Sequence, residues 1–307
     1  MFSALTQPNY PKAALGLEKD SVTALALQKE GRGQYGIKQA ATVELPNRLL
    51  NPNFLEKNIA DSAQLNTLID ETLINAGLVN QKNWSVSLPS NAARTAILTL
   101  ESEPVSKQEL SEILDWKSEQ VFGASAGEMR ISREKISPDS EGKTRYFATA
   151  VKLSVINEYE TLFEMKGWKT GLILPRVVSE SNWLMNKDRS DSLLISSQFD
   201  GFTALLLRGN EPTVVRNVTC GENERDDEIF RLLMFYRDRL ANEQNWLEKI
   251  LLIGKDFAPQ KIHEISAEAL GQTLKILRPE DVGLNIPANN LNFDDLAAPA
   301  GLAALGI

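Results

Sequence analysis

Cysteine and histidine are almost absent from this 307-residue sequence, which contains one of each, Cys220 and His263. One cysteine cannot form an internal disulfide, and one cysteine with one histidine cannot build a Cys/His metal site. A catalytic Ser-His-Asp or Cys-His arrangement would have to use His263, which lies in a polar, charged stretch. The sequence therefore predicts no metal centre and no catalytic residue of these types.

Basic residues are also scarce, because 33 Lys and Arg are outnumbered by 41 Asp and Glu, which gives a formal net charge of −8. Nucleic-acid binding without sequence preference needs a basic surface, so no nucleic-acid partner is expected, although this balance does not exclude one local basic patch. No stretch approaches the roughly 18 uninterrupted apolar residues of a membrane-spanning helix. Met1–Lys12 lacks the basic start and apolar run of a signal peptide. These absences predict a cytoplasmic protein without direct membrane insertion.

The first part of the chain alternates apolar runs with polar turns. Apolar runs that predict strands occupy Ala13–Leu17, Val22–Gln28, Tyr35–Leu45 and Asn83–Leu88. The first two are separated by the polar break Glu18–Ser21. Residues 61–76 have the apolar spacing of a helix, with Asp61 or Ser62 as its N-cap and Gly77 at its end.

A similar pattern returns in the second half. Apolar runs that predict strands occupy Ser192–Ser196, Phe202–Arg208, Thr213–Val218 and Leu247–Ile253, with a helix predicted at Asp226–Leu240. The tripeptide Thr-Ala-Leu occurs at residues 23–25 and 203–205, each time after a polar loop at the opening of the second strand. A shared tripeptide alone could be coincidence, but the shared order of elements favours a duplication. Two copies of a sheet-and-helix unit predict a two-lobed α/β architecture with a cleft between similar halves.

An unlike segment separates the two halves. It contains a predicted helix at Ser106–Val121, strands at Glu128–Ile136 and Arg145–Leu153, and a second helix at Ser154–Lys166, which together indicate a small inserted α+β subdomain. The predicted domains are a first lobe of residues 1–95 plus 168–190, an inserted subdomain of residues 96–167, and a second lobe of residues 191–307. A short helix of small residues is expected at 297–307.

Several short stretches carry a resemblance to a known family. Leu15-Gly16-Leu17-Glu18 followed by Ser21-Val22 is similar to that family's first-strand start. Further similar stretches are Ala41–Pro46, Val86–Pro89, Gly167-Trp168 before an apolar run, Val214–Val218 with Gly221, and Gly301–Leu305. The chain resembles, in order and over nearly its whole length, the PilM-like type IV pilus assembly proteins, which are actin-like and related to FtsA. The resemblance implies an actin-like (ribonuclease H-like), duplicated two-lobe α/β fold with a small inserted α+β subdomain.

Actin-like ATPases hold phosphates with two glycine-bearing hairpin loops, because only bare backbone can approach an anion closely. The family's first loop reads Asp-apolar-Gly-Ser-x-Ser, whereas Glu18-Lys19-Asp20-Ser21 has no glycine and has Glu for Asp. In the second loop Ser196-Ser197-Gln198 stands in register and Asp200-Gly201 is displaced, and the adenine-side Gly-Gly turn becomes Gly254-Lys255-Asp256.

By this resemblance the degenerate nucleotide-site positions are Glu18, Asp20, Ser21, Asp200, Gly201 and Gly254. No cofactor is expected to bind there, and no catalytic residue is predicted. The simpler alternative is that Glu18–Ser21 is a solvated hairpin and that Asp200-Gly201 is an ordinary turn.

The leading functional interpretation is a non-catalytic, cytoplasmic scaffold of a type IV pilus or related secretion machine. The resemblance implies that it binds the short cytoplasmic tail of a PilN-like inner-membrane protein, with other pilus or secretion components as further candidate partners. That tail would recruit the protein to the inner face of the inner membrane. The exposed edge of the inserted subdomain is the candidate surface, with Trp116, Val121, Phe122 and Phe147 as candidate contacts, although a core position is the simpler interpretation of each.

Two other interpretations remain open at this point. The chain could be an active ATP-binding actin-like protein, either filament-forming or kinase-like, in which case ATP and Mg²⁺ would be its cofactors. It could also be a two-domain α/β protein whose apparent duplication is accidental. Nucleotide binding with Mg²⁺ dependence separates the first from the scaffold, and the symmetry of the two lobes separates the second.

Overall fold

A computed structural model describes residues 10–185, 190–242, 246–287 and 291–307. The segment 1–9, which contributed to the signal-peptide argument, lies outside the described residues. The strands are β1 (Ala13–Leu17), β2 (Ser21–Gly31), β3 (Gln34–Glu44), β4 (Asn83–Leu88), β5 (Arg94–Thr99), β6 (Met129–Ile136), β7 (Arg145–Lys152), β8 (Lys169–Pro175), β9 (Asp191–Gln198), β10 (Gly201–Arg208), β11 (Glu211–Thr219), β12 (Leu247–Ile253), β13 (Lys275–Ile276) and β14 (Leu284–Asn285). The helices are α1 (Ser62–Ala76), α2 (Lys107–Phe122), α3 (Leu153–Met165), α4 (Arg176–Ser181), α5 (Arg225–Arg239), α6 (Pro259–Leu270) and α7 (Phe293–Ala304).

Helix α1 begins and ends where its sequence signals predict. The Asp61 carboxylate accepts hydrogen bonds from the backbone amides of Ala63 and Gln64, which have no partner inside the helix. Gly77 follows the helix with φ 70°, a left-handed conformation that glycine adopts without steric cost. Both predicted ends of this helix are confirmed.

The chain forms two compact units, and the first contains residues 1–89, 156–182 and 279–307. Its six-stranded sheet has the order β14-β3-β2-β1-β4-β8, in which β1 is antiparallel to β2 and parallel to β4. Helix α7 packs on one face of this sheet, where a Cβ on Gly16 would lie 3.0 Å from Pro299 Cγ. Helix α1 packs against β2 and β3, and the Gln39 side chain donates to the Gly77 carbonyl.

The second unit contains residues 90–155 and 183–278, and its main sheet has the order β11-β10-β9-β12-β13. Strand β9 is antiparallel to β10 and parallel to β12, as β1 is to β2 and β4 in the first unit. The two Thr-Ala-Leu tripeptides lie in β2 and β10, which hold the same position in the two sheets. The matching topology confirms the predicted duplicated fold.

A second, three-stranded sheet in the same unit has the order β5-β7-β6. Helix α2 covers one face of this sheet. Arg133 on β6 donates from that face to Asp115 (2.7 Å) and Ser118 (3.0 Å) on the helix. Arg94 on β5 also donates to the carbonyl of Phe122. These elements correspond to the helix and the two strands predicted for the inserted α+β part, to which β5 adds a third strand.

Four segments belong to a different unit from the one predicted. The short stretches 90–95 and 183–185, predicted in the first lobe, belong to the second unit, and two longer segments differ as follows. Residues 279–307 were assigned to the second lobe, but α7 belongs to the first unit, because its small residues pack against β1, β2 and β4. Residues 156–165 were assigned to the inserted subdomain, but they also belong to the first unit: the Tyr159 hydroxyl donates to Asn58 (3.0 Å), and Phe163 stacks on Trp168. Both errors concern contacts between residues far apart in the chain, which local patterns do not reveal.

Candidate functional site

The turn between β1 and β2 lies at the carboxyl end of β1, and this is the edge where open α/β sheets bind ligands. The Glu18 amide donates to the Ser21 carbonyl (2.9 Å), and the Leu45 amide donates to the Asp20 carbonyl (2.7 Å). None of the residues 18–21 has a positive φ. A phosphate-binding loop presents its amides outward to the anion, whereas this turn uses the Glu18 amide to close itself.

The Glu18 side chain is not solvated as the simpler interpretation expected. Its Oε2 lies 3.1 Å from Arg176 Nη1, and Arg176 Nε donates to Glu180 Oε1 at 2.6 Å. The side chains are 22 %, 11 % and 0 % exposed for Glu18, Arg176 and Glu180. We call these three residues the Arg176 triad. The solvated-hairpin interpretation is therefore wrong for Glu18, while Asp20 at the tip is exposed and Ser21 is buried.

Burial is the main influence on the acidity of Glu18. It raises the pKa of the Glu18 carboxyl to about 7, although the adjacent Arg176 guanidinium acts in the opposite direction, and the neighbouring Glu180 raises the pKa further. Burial acts to lower the pKa of Arg176, but the two carboxylates together outweigh it and raise that pKa, so Arg176 remains charged. The triad thus carries one fixed positive charge and two carboxyl groups, of which Glu18 titrates near neutral pH.

The equivalent turn in the second unit joins β9 to β10 and has Asp200 at its tip. Asn91 Nδ2 donates to Asp200 Oδ1 (3.0 Å), and the Cys220 amide donates to the Asp200 carbonyl (3.0 Å). Gly201 has φ 147°, and a Cβ there would lie 1.9 Å from the carbonyl oxygen of Val218. Glycine is therefore required at this position by the close approach of β11.

Gly254 follows β12 at the same edge of the second sheet. Its φ is 136°, and a Cβ there would lie 2.3 Å from Ser197 Cβ. The Ser197 hydroxyl donates to Asp256 Oδ2 (2.7 Å), which also lies 3.1 Å from Nη1 of the buried Arg225. The space beside Gly254 is thus filled by the protein's own side chain.

The predicted positions form two separate groups. Glu18, Asp20 and Ser21 share one turn of the first unit, whereas Asp200, Gly201 and Gly254 lie at the strand ends of the second. Four neighbouring residues are not among the predicted positions. Arg176 and Asn91 bond to Glu18 and Asp200, while Glu180 and Arg225 pair with Arg176 and Asp256. The pair Arg176 and Glu180 carried a recognisable signal, because it places opposite charges four residues apart directly after the apolar run 171–175.

The predicted partner contacts do not form one surface. Trp116 (58 % exposed) and Val121 (49 %) are exposed on α2, but Phe122 is 1 % exposed. Phe147 is half-buried on β7, directly beside Ala148, which pairs with Arg133. Because neighbouring strand residues point to opposite faces and Arg133 reaches α2, Phe147 lies on the face away from that helix. Phe122 is therefore too buried to contact a partner, and Phe147 cannot share a surface with Trp116.

Within the described part of the chain, no three His, Cys, Asp or Glu side chains are grouped so that they could hold a metal ion. Burial raises the pKa of the Cys220 thiol, which is the opposite direction to the lowered pKa of a reactive cysteine. No helix among the described residues is both long and apolar enough to cross a membrane.

No protein-family model matches the sequence, and no curated protein matches it. Among solved structures, a chain of a PilM–PilN type IV pilus biogenesis complex matches with a TM-score of 0.74 at 16 % identity, covering 97 % of this chain and 99 % of that one. The cytoplasmic domain of EpsL, an inner-membrane component of the Vibrio cholerae type II secretion system, matches with a TM-score of 0.49 at 10 % identity, covering 95 % and 93 %. The first of these, together with the duplicated sheets, shows that the chain has the actin-like fold and the PilM-like architecture that its sequence predicted.

Proposed function

We propose that this protein is a non-catalytic component of a type IV pilus or related secretion machine that binds the cytoplasmic tail of a PilN-like inner-membrane protein. The observation that carries the proposal is the fold match to a chain of the PilM–PilN complex over 97 % of this chain and 99 % of that one. Binding to such a tail would recruit a cytoplasmic protein to the inner face of the inner membrane.

The strand-end contacts support the non-catalytic part of the proposal. The Glu18 carboxylate is paired with Arg176, the Glu18 amide is used inside its turn, and the space beside Gly254 is filled by Ser197. ATP and Mg²⁺ need acidic side chains, free amides and bare backbone at these edges. The residues present do not fit that ligand.

The experiment that tests partner binding uses the full chain and synthetic peptides from the cytoplasmic tail of a single-span inner-membrane protein encoded beside it. We expect saturable binding in the micromolar range, with a scrambled peptide as the control. Deleting residues 97–166 would be a poor test, because it also removes residues 156–165 of α3, which belong to the first unit. Point variants are therefore preferable.

The two point variants are Trp116→Ala on the outer face of α2 and Phe147→Ala on the opposite face of the three-stranded sheet. Because these side chains lie on different faces, weaker binding by one variant and unchanged binding by the other would locate the contact surface. If both variants bind the tail as tightly as the wild type does, the tail site does not lie on this sheet or on α2. Absence of binding by the wild-type chain to every tail peptide would contradict the proposed function.

A further inference from the structure

The Arg176 triad occupies the position in the first sheet where parallel strands end. Glu18 directly follows β1, and Arg176 directly follows β8, while β4 lies between these two strands in the sheet. Strands β1, β4 and β8 are mutually parallel, so their carboxyl ends lie at one edge. The triad is thus formed by residues that the topology itself brings together.

The actin-like fold implies a Mg-nucleotide at this edge, and the donor set can be tested against it. Mg²⁺ binds carboxylate oxygens in a near-ideal octahedron and keeps several waters. Here Glu18 Oε2 and Glu180 Oε1 already face a guanidinium at 3.1 and 2.6 Å, and the Glu180 side chain is fully buried. The carboxylates do not fit a hydrated cation while Arg176 is present.

We infer that Arg176 is an internal counter-ion that takes the place of a bound divalent cation at this edge of the first sheet. The inference rests on the proposed nucleotide independence of the protein. Its consequence is that the first unit needs neither metal nor nucleotide to hold the ends of β1 and β8 together.

Arginine is suited to this role for a geometric reason. Its planar guanidinium offers several donors in fixed directions, so one side chain can serve two carboxylates at once, which the compact ammonium of lysine does less well. Arg176 uses Nη1 for Glu18 and Nε for Glu180. Helix α4 fixes the second pair, because Glu180 lies one turn after Arg176.

The charged and titratable groups around Glu18 come from three elements. Arg176 and Glu180 belong to α4, Asp20 belongs to the same turn, and Tyr159 belongs to α3. Arg176 is the cation among them. Removing its charge therefore leaves two neighbouring carboxylates, the arrangement that a divalent cation or a proton would then have to neutralise.

The test measures the melting temperature of Arg176→Gln with and without about 10 mM CaCl₂ or MgCl₂. We expect the variant to melt below the wild type and to regain about 3 °C or more with the cation, the shift for a cation tenfold above its Kd. The matched control is Arg208→Gln, which removes an arginine from a single fully buried carboxylate, Asp191, that Tyr236 also contacts. The melting temperatures of this control and of the wild type should not rise when either cation is added.

The inference is overturned if Arg176→Gln shows no rise with either cation, or if all three proteins rise equally. If Arg176→Gln does not fold, the double variant Arg176→Gln/Glu180→Gln is tested at pH 6. At that pH Glu18 can be neutral, so neither position needs a counter-ion. A double variant that folds supports the charge role, whereas one that stays unfolded shows that Arg176 acts by packing. Mg-ATP binding by the wild type would also overturn the inference, whereas failure to bind any tail peptide would contradict the proposed function and leave the inference standing.

Discussion

Glu18 shows how much a single side chain can differ from what its local sequence suggests. In the sequence it belongs to a run of four polar residues, Glu18–Ser21, typical of an exposed turn. In the structure its carboxylate is largely buried against Arg176, which belongs to a distant part of the chain. Burial of a carboxyl group changes its acidity, and this change has a measurable effect on stability.

The first prediction is that Glu18 makes the protein less stable as the pH rises. Its folded-state pKa of about 7 lies above the ordinary value of 4.5. A raised carboxyl pKa contributes stability that is fully present below pH 4.5 and is lost as the pH rises through 7. Between about pH 5 and pH 8 the loss should be on the order of 1–3 kcal/mol. Urea unfolding of wild type and Glu18→Gln at both pH values measures it, because the variant keeps every other titrating group.

The pH dependence of the free energy of unfolding is compared between the two proteins. The free energy of unfolding of the wild type should fall more steeply with pH than that of Glu18→Gln. Parallel pH profiles for the two proteins would show that Glu18 is not titrating in this range.

The second prediction separates backbone strain from steric contact at two glycines. Gly142 has φ 80° and open space within 4 Å of the point where a Cβ would lie, whereas Gly254 has φ 136° and Ser197 Cβ at 2.3 Å from that point. Gly142→Ala should cost about 1–2 kcal/mol from its left-handed backbone alone. Gly254→Ala should cost about 1–3 kcal/mol more, because Ser197 must move. Urea unfolding checks both, and equal losses would contradict the close approach at Gly254.

At the scale of single elements, α2 divides its apolar residues between solvent and core. Phe122 is 1 % exposed at the end of the helix, whereas Trp116 is 58 % exposed on its outer face. Both residues are aromatic and belong to one short segment, so the local pattern assigns the same candidate role to each. Only the position of the three-stranded sheet decides which of them is covered.

The third prediction follows from this difference. Phe122→Ala should lower the free energy of unfolding by about 3–5 kcal/mol, because it leaves a cavity under α2. Trp116→Ala should change it by less than about 0.5 kcal/mol, as expected for an exposed position. Thermal or urea unfolding checks both variants. A large loss in Trp116→Ala would mean that its ring is not exposed in solution.

Local signals are enough to predict individual elements but not their assembly. The strands predicted at 83–88 and 247–253 have the bounds that the structure shows, because each is an apolar run between polar residues. Helix α6 was not predicted, although Pro259 at its first position and Gly271 at its end are recognised helix signals. The Arg176 triad could not be assembled from the sequence, because it depends on which strands become neighbours in the sheet.

At the scale of the whole molecule, two sheets with matching strand order differ in how their equivalent turns are held. Asp20 and Asp200 are both at hairpin tips, yet Asp20 is exposed and Asp200 accepts from Asn91. Arginine pairs with an acid at both edges, Arg176 with Glu18 and Arg225 with Asp256. In each unit an ion pair between the chain's own residues therefore occupies the strand-end region.

The fourth prediction concerns ATP. Each charge-assisted hydrogen bond that a phosphate loses is worth about 1.5–3 kcal/mol. Losing two or three would move a micromolar site to the millimolar range or beyond. Isothermal titration calorimetry with Mg-ATP should therefore detect no binding at concentrations of about 100 µM, well below that range. A dissociation constant in the low micromolar range would favour the active ATP-binding alternative.

The packing of α7 has a consequence for biosynthesis. Strands β1 and β2 leave the ribosome early, but the face that carries Ala14, Gly16 and Leu25 is covered by α7, which is translated after the whole second unit. Until then that face lacks its packing against α7, which leaves it open to chaperones or to aggregation. The second unit, built from residues translated before α7, can complete its own sheets first. The first unit, whose strands are translated first, is therefore expected to finish folding last.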